Sequence, residues 1–497
     1  MNLAAIIDTH PADSVAVISR GKTTPYGVLR EQVAGFRGGL IGLGVEPGDR
    51  VAIACGNNWY FVVSYLAALG VGAVVVPVNP AMPAPEIEKY LAVTGAKVLV
   101  ATPAVIPALA AIDRSDVPDL EHVIATAGVD YDGAVLLDDV MASSPADLVA
   151  RQPDELAVLM FTSGTAGTPK AAMLTHGNLL SNLEQTQAHP GRSQTPSDRV
   201  LGVLPMFHIF GLNVVLNLSL YQGSSVVLIE RFDPSSALEA IENHGVTVVS
   251  GPPTMWSAWA ALPGASPHAF ASVRLAVSGA AKLSIETAQA IDDKFDLVLR
   301  EGYGLTETAP VVSTATGTDA PRGSIGTIVP GVEVRLVDAD GEDALVGDSG
   351  ELWVRGPNVF KGYWNDASAS ANVLTDDGWL RTGDVAVIDD DGYLYLVDRA
   401  KDIIIVSGFN VFPAEIEGVL IEHPAVEACA VVGVPHPYSG EAVKAFVVLA
   451  DGMSAEEDAI IAWCSERVAR YKCPSKVMFV DELPQGSGGK VLRRALR

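Results

Sequence analysis

Cysteine is scarce in this chain. Four cysteines occur in 497 residues, and they show neither a paired spacing nor a neighbouring histidine pattern. This argues against a disulfide framework and against a structural zinc site. The spacing is typical of the reduced thiols of a cytosolic protein, at Cys55, Cys429, Cys464 and Cys473.

Positively charged residues are also few. The chain has 33 Lys and Arg against 59 Asp and Glu, for a formal net charge of −26. A field of this sign repels nucleic acid and anionic membrane surfaces, so neither is expected as the main partner. An anionic substrate would need local lysines and Mg²⁺ to overcome the overall field.

No apolar run indicates a membrane span. The longest uncharged stretch lies between Arg50 and Glu86, and Gly70 and Pro77 interrupt it. A buried helix that leads into a buried Val-rich strand at 73–78 explains this stretch better. The N-terminus also lacks the basic and apolar regions of a signal peptide. We expect a soluble, cytoplasmic protein, with peripheral membrane contact left open.

The length of the chain and its pattern of apolar runs indicate an α/β protein of more than one domain. At 497 residues with 49% apolar composition, the chain exceeds one ordinary core. Short Val/Ile-rich runs alternate with helical stretches through the first half, which predicts parallel strands buried on both faces. The runs are Arg50–Ala54, Lys97–Ala101, Val200–Leu204, Ser225–Ile229 and Val246–Ser250.

The pattern changes twice further along. Between Gly323 and Asp398, short strands and Asp-Gly turns predict a small antiparallel β subdomain. From about Lys401 a small α+β pattern follows. We therefore predict a large domain at 1–399 and a small domain at 400–497. The small domain's elements are predicted at Ala414–Ile421 (helix), Val426–Val434 and Val443–Leu449 (strands) and Ser454–Ala469 (helix).

Residues 161–170 read Phe-Thr-Ser-Gly-Thr-Ala-Gly-Thr-Pro-Lys, a composition that suits an anion. Glycines let backbone N–H groups converge, and hydroxyls and Lys170 add donors and charge. We interpret the segment as a loop for the β- and γ-phosphates of a nucleotide. It is not a Walker A loop, because Pro169 and Ala171 stand where Gly and Ser or Thr are required. A Ser/Thr/Gly turn with a solvated lysine is the alternative.

Two later segments offer groups for the rest of a nucleotide. Glu301–Thr308 follows a Val/Leu strand, where Tyr303 offers a ring to a base and Glu307 offers a hard oxygen to Mg²⁺. Gly378–Asp384 places Asp384 after a sharp turn, suited to accept hydrogen bonds from ribose hydroxyls. Each segment alone is equally compatible with an ordinary turn that carries a solvated acid.

Two isolated side chains are harder to interpret. Lys490 lies in a Gly/Ser-rich tail and could be delivered to a site and withdrawn again, or belong to a solvated basic tail. His208 stands among apolar residues, where a packed core histidine is the usual finding.

Taken together, in this order and spacing, these motifs resemble the adenylate-forming, AMP-binding superfamily, which includes acyl-CoA synthetases, firefly luciferase and the adenylation domains of peptide synthetases. The resemblance covers nearly the whole chain. It implies an acid–thiol ligase that uses ATP, Mg²⁺ and coenzyme A. The acid would attack the α-phosphate of ATP to give an acyl-adenylate and pyrophosphate, and the thiol of coenzyme A would then displace AMP.

The resemblance also implies roles for individual residues. The pyrophosphate would be held by Thr162, Ser163, Gly164, Thr165, Thr168 and Lys170. The adenine slot would consist of Gly279, Ala280, Gly302 and Tyr303. The ribose would bind Asp384, assisted by Arg399. At the reacting centre, Thr306 would touch the α-phosphate, Glu307 would bind Mg²⁺, and Lys490 would bridge the acid and the α-phosphate. Ala166 and Ala171 depart from the usual Thr and Gly of the phosphate loop.

The small domain would be mobile, with its hinge at Lys401. Its rotation between the two half-reactions would withdraw Lys490 and present a loop to the pantetheine arm of coenzyme A. The residues of this loop are Ser407, Gly408, Phe409 and Asn410. A monomer and a homodimer are both compatible with the resemblance.

The acid is expected to have an apolar tail, because residues 207–217 contain no acidic side chain to pair an amino group. The predicted acyl pocket comprises His208, which would gate the carboxylate entrance, with Ile209, Phe210, Asn213 and Trp256. Segments Asn410–Glu417 and Ser439–Val448 resemble bacterial long-chain fatty-acid–CoA ligases, which predicts a fatty acyl-CoA synthetase. An aryl-CoA ligase of the coumarate or benzoate type and a fatty acyl-AMP ligase remain alternatives.

Overall fold

The computed structural model describes residues 1–129, 131–162, 170–190, 194–338, 341–399, 404–411, 413–484 and 496. Within them the strands form four sheets, and the α/β class predicted from the sequence is confirmed. Two large, mostly parallel sheets belong to the first 330 residues. Two smaller, mostly antiparallel sheets follow in the order in which the chain pattern changes.

The seven-stranded sheet is parallel except for its last pair, Leu156–Thr162 and Lys170–Thr175, which run antiparallel. Its Val-rich central strands are buried on both faces, as such runs predict. In sheet order the strands are Val135–Leu136, His122–Ala125, Ala96–Ala101, Arg50–Ala54, Val74–Pro77, Leu156–Thr162 and Lys170–Thr175.

The nine-stranded sheet is parallel in its centre and antiparallel at both ends. The predicted strand at Val246–Ser250 begins two residues later, because the Val246 N–H closes the preceding helix on the Ile241 carbonyl after left-handed Gly245. In sheet order the strands are Thr327–Ile328, Val311–Thr314, Arg300–Gly304, Leu275–Ser278, Val248–Gly251, Arg199–Gly202, Ser225–Leu228, Val15–Ser19 and Lys22–Pro25.

Helices cover these sheets and complete the core. The uncharged stretch forms the buried helix Trp59–Gly70, which the Asn58 side chain caps, and then the strand Val74–Pro77. None of the helices in the described ranges is both long and apolar enough to cross a membrane. The other α-helices of this part are Tyr26–Gly42, Ala84–Thr94, Ile106–Ala110, Leu137–Met141, His176–Ala188, Leu218–Gln222, Pro234–His244, Pro253–Ala261 and Ile285–Phe295.

The predicted hairpins at 323–398 form a four-stranded antiparallel sheet with its own apolar cluster around Val312, Leu352 and Leu394. A short helix, Ala367–Val373, lies between its second and third strands. The strands are Glu333–Val337, Gly350–Arg355, Leu380–Ile388 and Leu394–Arg399.

Residues 404–479 form the last sheet, with a separate apolar cluster that includes Ile404, Leu420 and Val477. The predicted helix at 454–469 is shorter and runs over Glu457–Ser465, with acidic Glu457 and Asp458 in its first turn. The boundary at 399/400 and the hinge at Lys401 stay predictions, since 400–403 lie outside the described residues. The other elements are Phe409–Val411, Ile404–Val406, Gly440–Leu449, Val426–His436, Lys476–Phe479 and the helix Pro413–Ile421.

Candidate active site

A cavity of about 780 Å³ lies where three parts of the molecule meet. Central strands of the nine-stranded sheet reach it with Val248, Val277 and Gly302, the antiparallel sheet with Asp384, and the C-terminal sheet with Phe409. Carboxyl ends of parallel strands are the usual ligand site of open α/β sheets. The cavity therefore lies where the segment at 301–308 and the small residues Gly279 and Ala280 are predicted to bind a nucleotide.

Both ends of the predicted phosphate loop border this cavity. Thr162 and Lys170 are opposite each other in an antiparallel strand pair, so the intervening loop begins and ends at one place. The Lys170 Nζ lies 5.1 Å from the centre of the Tyr363 ring, within cation–π range. The remaining loop residues predicted to bind pyrophosphate lie outside the described residues, namely Ser163, Gly164, Thr165 and Thr168.

The carboxylate of Glu307 is held in a defined position on the cavity wall. Glu307 lies in a 3₁₀ turn with Thr306 and Thr308, and the Thr308 hydroxyl accepts from the Leu305 N–H at 3.0 Å. The Tyr363 hydroxyl donates to Glu307 Oε1 at 2.7 Å. Burial first, and the Glu307 charge second, raise the pKa of Tyr363 well above its ordinary value, so this phenol remains a donor.

Tyr303 and Asp384 are joined in the same way. The Tyr303 hydroxyl donates to Asp384 Oδ2 at 2.7 Å, and both residues line the cavity while being more than nine-tenths buried. Arg399 is opposite Asp384 in the strand register, but its side chain lies outside what the structure describes.

The small residues predicted for an adenine slot line one wall. A Cβ added to Gly279 would lie 3.1 Å from the Phe210 ring, so a larger residue would press on that ring. Ala280 has a left-handed φ of 66°, and it borders the cavity with Gly279 and Gly302. Backbone thus approaches the space closely at a strand end, which is what a flat ligand requires.

His208, Ile209 and Phe210 line the cavity, and Phe210 begins the π-helical turn Phe210–Asn217. Burial lowers the pKa of His208 to about 4, so its ring is neutral at pH 7. Its ring packs edge-on against Phe409 with the centres 6.1 Å apart. A neutral imidazole beside apolar groups suits the passage of a carboxylate's tail better than permanent charge would.

Two residues predicted for the acyl pocket are not among the described lining residues. Trp256 is fully buried and packs edge-on against Trp259 with ring centres 5.2 Å apart, because its helix directs it into the core. Asn213 is buried, and its amide donates to the Ala309 carbonyl at 2.6 Å. The structure therefore assigns packing and bracing contacts to these two residues.

The predicted coenzyme A loop faces the large domain. Gly408 and Phe409 line the cavity, and a Cβ on Gly408 would lie 2.9 Å from Pro252. Phe409 stacks on Tyr471 with ring centres 4.4 Å apart. Ser407 precedes them at a left-handed φ of 52°, and the Asn410 side chain lies outside the described part.

Lys472 is a cavity-lining residue that the sequence analysis did not identify. Its Nζ lies 2.7 Å from Glu415 Oε1 in the C-terminal domain and 3.3 Å from Glu86 Oε1 in the large domain, and all three side chains are buried. Burial lowers the pKa of Lys472, but the neighbouring Tyr471, Glu415, Tyr90 and Glu86 together outweigh this and hold it well above its ordinary value. Tyr363 was missed as well, since its only signal is spatial. The predicted Lys490 and Lys401 lie outside the described residues.

Comparisons with known proteins agree with this geometry. The sequence model of the AMP-binding enzyme family matches residues 3–364, and that of the AMP-binding enzyme C-terminal domain matches 415–490. The chain is 39% identical to a feruloyl-CoA synthase of Amycolatopsis over 97% of this chain and 95% of the relative. It is 35% identical to a long-chain-fatty-acid–CoA ligase of Bacillus subtilis, over 91% and 86% respectively.

Among solved structures, an amide bond synthetase from Marinactinospora thermotolerans superposes with a TM-score of 0.90 at 32% identity, covering 100% of this chain and 99% of the other. The chain therefore belongs to the AMP-binding enzyme family. Within it, the chain is an adenylate-forming enzyme of the acyl-CoA synthetase class, as the sequence motifs predicted.

Proposed function

We propose that the chain is an ATP-dependent, AMP-forming ligase that joins a carboxylic acid with a mainly apolar tail to coenzyme A. One observation carries this proposal. A single cavity is lined by the two ends of the phosphate loop, by the Glu307 and Asp384 carboxylates, by an apolar wall, and by Gly408–Phe409 of the C-terminal domain. These are the parts needed for an acyl-adenylate and an incoming thiol.

In the first step a carboxylate oxygen of the acid attacks the α-phosphorus of ATP, and pyrophosphate leaves. Lys170 and the phosphate loop would bind the pyrophosphate, while Thr306 and Lys490 would contact the α-phosphate. Asp384, oriented by Tyr303, would accept from the ribose hydroxyls. Fixed donors and charges of this kind stabilise a transition state because they need no reorganisation.

In the second step the sulfur of coenzyme A attacks the acyl carbon, and AMP leaves. The loop of Ser407 to Asn410 would accompany the pantetheine arm, since Phe409 already contacts His208 at the cavity wall. We propose that the small domain turns about Lys401 between the steps. Lys490→Ala should then suppress adenylate formation and spare thioester formation from supplied acyl-AMP, whereas equal loss in both would contradict the rotation.

Mg²⁺ fits the donors at this site. Mg²⁺ is commonly held by one or two carboxylates together with substrate phosphates, and Glu307 offers such a carboxylate. Tyr363 keeps one of its oxygens fixed by a 2.7 Å hydrogen bond. Bound there, the ion would neutralise charge on the phosphates. Glu307 and the ATP phosphates would hold it.

The acid has two candidate classes. Apolar lining residues support a fatty acid: Val214, Leu218, Val248 and Leu275. The 39% identity to a feruloyl-CoA synthase supports an aryl acid as the second candidate. A cavity of about 780 Å³ must also hold a nucleotide, and pockets of 300 to 1,000 Å³ usually hold one drug-sized ligand, which favours a short tail in either class.

The test is incubation of the purified protein with ATP, Mg²⁺, coenzyme A and a panel of acids. The panel spans short to long fatty acids, benzoate and hydroxycinnamates, and mass spectrometry follows acyl-AMP and thioester. Thioester from one class confirms the proposal and selects the class. Acyl-AMP without thioester would show a different acceptor, such as a carrier protein. Neither product from any acid would overturn the proposal.

A further inference from the structure

One amide of the cavity lining, that of Gln194, takes no part in the contacts described above. Gln194 is only 2% exposed and lines the cavity together with Val214 and Leu218. One end of its amide contacts two buried serines, at 3.2 Å from Ser219 Oγ and 3.5 Å from Ser224 Oγ. Among the residues that the structure describes, the other end has no hydrogen-bond partner.

The protons of the two serines decide which amide atom faces them. Each hydroxyl carries one proton, and each already donates it to a backbone carbonyl: Ser219 to Val215 at 2.5 Å, and Ser224 to Ser219 at 3.0 Å. The structure places Oε1 against both serines, but neither has a proton left to give it. Rotating the amide by half a turn puts Nε2 there as donor to both hydroxyls.

With Nε2 on the serines, the carbonyl oxygen of Gln194 points into the cavity as an acceptor. Gln194 is 2% exposed and lines the cavity, so a ligand that supplies a donor there would replace water as the partner of this oxygen. A hydroxyl can donate to this oxygen. A methyl group or an ether oxygen cannot.

The Gln194 amide contacts Ser219, which lies on the helical segment that begins at Phe210. Phe210 packs against Gly279 of the predicted adenine slot, and Ser219 follows Phe210 by nine residues along this segment. At the α-helical rise of about 1.5 Å per residue, Phe210 and Ser219 are separated by at most about 13 Å along the helix axis. An acid whose carboxylate lies near His208 would bring the far end of a short tail towards Gln194.

We infer that Gln194 is a specificity-determining residue that selects acids with a hydroxyl at the far end of an otherwise apolar tail. The inference rests on the proposed ligase function, and it names the substrate class more closely. His189, another polar residue of the lining, is kept neutral because burial lowers its pKa, so it adds no competing charge.

The experiment compares matched acids on the wild-type chain by the rate of AMP release. One series is 4-hydroxycinnamate, cinnamate and 4-methoxycinnamate, and the other is 10-hydroxydecanoate and decanoate. In at least one series kcat/KM should favour the hydroxyl acid by about tenfold or more, because sites built to bond a hydroxyl reject the analogue without it. In the aryl series, the methoxy acid should be no better than cinnamate.

Gln194→Leu should bring the ratio of kcat/KM between the hydroxy acid and the unsubstituted acid to about one. A merely structural residue would lower both acids together. Gln152→Leu is the matched control, because Gln152 is exposed and does not line the cavity, and it should keep the wild-type ratio. The thermal unfolding midpoint of each variant reports whether it is folded. The comparison of acids on the wild-type chain tests the inference without any variant.

The outcomes separate the two proposals. Thioester formation with equal efficiency for hydroxylated and plain acids in both series would overturn the role of Gln194 and leave the ligase function standing. A preference for the methoxy acid over the hydroxy acid would show that Nε2 faces the cavity and would also overturn the inference. No product from any acid would overturn the ligase function itself.

Discussion

The nucleotide end and the acyl end of the cavity hold their polar groups differently. At the nucleotide end, Glu307 and Asp384 are each fixed by a tyrosine hydroxyl at 2.7 Å. At the proposed acyl end, Val214 and Leu218 are aliphatic lining residues, and the Gln194 amide lies against two serines. The first arrangement suits chemistry shared by every acid, and the second suits a choice among acids.

The largest expected effect concerns Lys472, whose buried ion pairs with Glu86 and Glu415 join the two domains. Lys472→Met would leave Glu86 and Glu415 buried without their cation, which costs about 3 to 5 kcal/mol of unfolding free energy. Chemical denaturation measures this. Lys97→Met, at a partly exposed pair with Asp49, is the control and should cost about 1 kcal/mol or less. Similar losses in both variants would contradict the buried network.

Glu307→Gln should lower adenylate formation by about 10²- to 10³-fold, the usual effect of removing one group that stabilises transition-state charge. The factor should be the same for every acid, because Glu307 belongs to the nucleotide end. Pyrophosphate release with several acids measures it. Glu333→Gln, an exposed carboxylate paired with Arg355, should leave the rate unchanged. A loss confined to some acids would break the proposed division of the cavity.

The pH dependence of stability tests His208, which lies between the two ends. Its folded-state pKa of about 4 is below the ordinary value of 6.5, because burial disfavours the charged ring. The unfolded chain therefore binds this proton first, and stability falls as pH drops from about 6.5 to 4, by at most about 3 kcal/mol. His208→Asn should flatten this part of the unfolding curve. An unchanged slope would show that other groups cause it.

Tyr363→Phe removes the hydroxyl that positions Glu307 and keeps the ring that Lys170 contacts. A hydrogen bond to a charged group contributes about 1.5 to 3 kcal/mol, so the rate of adenylate formation should fall by about 10- to 150-fold for every acid. Initial-rate kinetics at saturating ATP measure this. Tyr438→Phe, at a side chain 82% exposed, should have no effect. A change in the preference among acids, without a fall in the rate of adenylate formation, would contradict the assignment of Tyr363 to the nucleotide end.

The smallest effect is expected at the acyl end. Val214→Ala removes two methyl groups from the aliphatic lining. Such changes shift the preference between substrates by about 1 kcal/mol or more, roughly a factor of ten. The shift should favour an acid with a longer or bulkier tail. The ratio of kcat/KM between two acids that differ by one or two methylenes measures this. The KM for ATP should stay constant, and a parallel change in it would contradict the separation of the two ends.

Much of the fold was predictable because its signals are local. The run Arg50–Ala54 predicted a strand with the observed bounds, and the uncharged stretch after it forms the predicted buried helix and strand. Element ends were less predictable. The strand predicted from Val246 starts at Val248, because the Val246 N–H caps the preceding helix on the Ile241 carbonyl, a local hydrogen bond that apolar periodicity does not show.

For the site, motifs indicated which segments approach the nucleotide, because a strand end, glycines and a following acid are contiguous in the chain. They did not show that Tyr363 contacts Glu307, 56 residues away, or that Lys472 reaches Glu86, 386 residues away. They also placed Trp256 in the acyl pocket, whereas its helix directs it into an aromatic core. Such contacts depend on packing between distant elements.

By itself, the sequence determined the layered α/β class, the order of the sheets along the chain and the adenylate-forming class, because periodicity, glycine placement and short motifs express local physical requirements. The tertiary structure alone decided which hydroxyl holds which carboxylate, which lysine links Glu86 to Glu415, and that the buried Gln194 amide lines the cavity. These depend on the directions of side chains from separate elements, and so on how those elements pack.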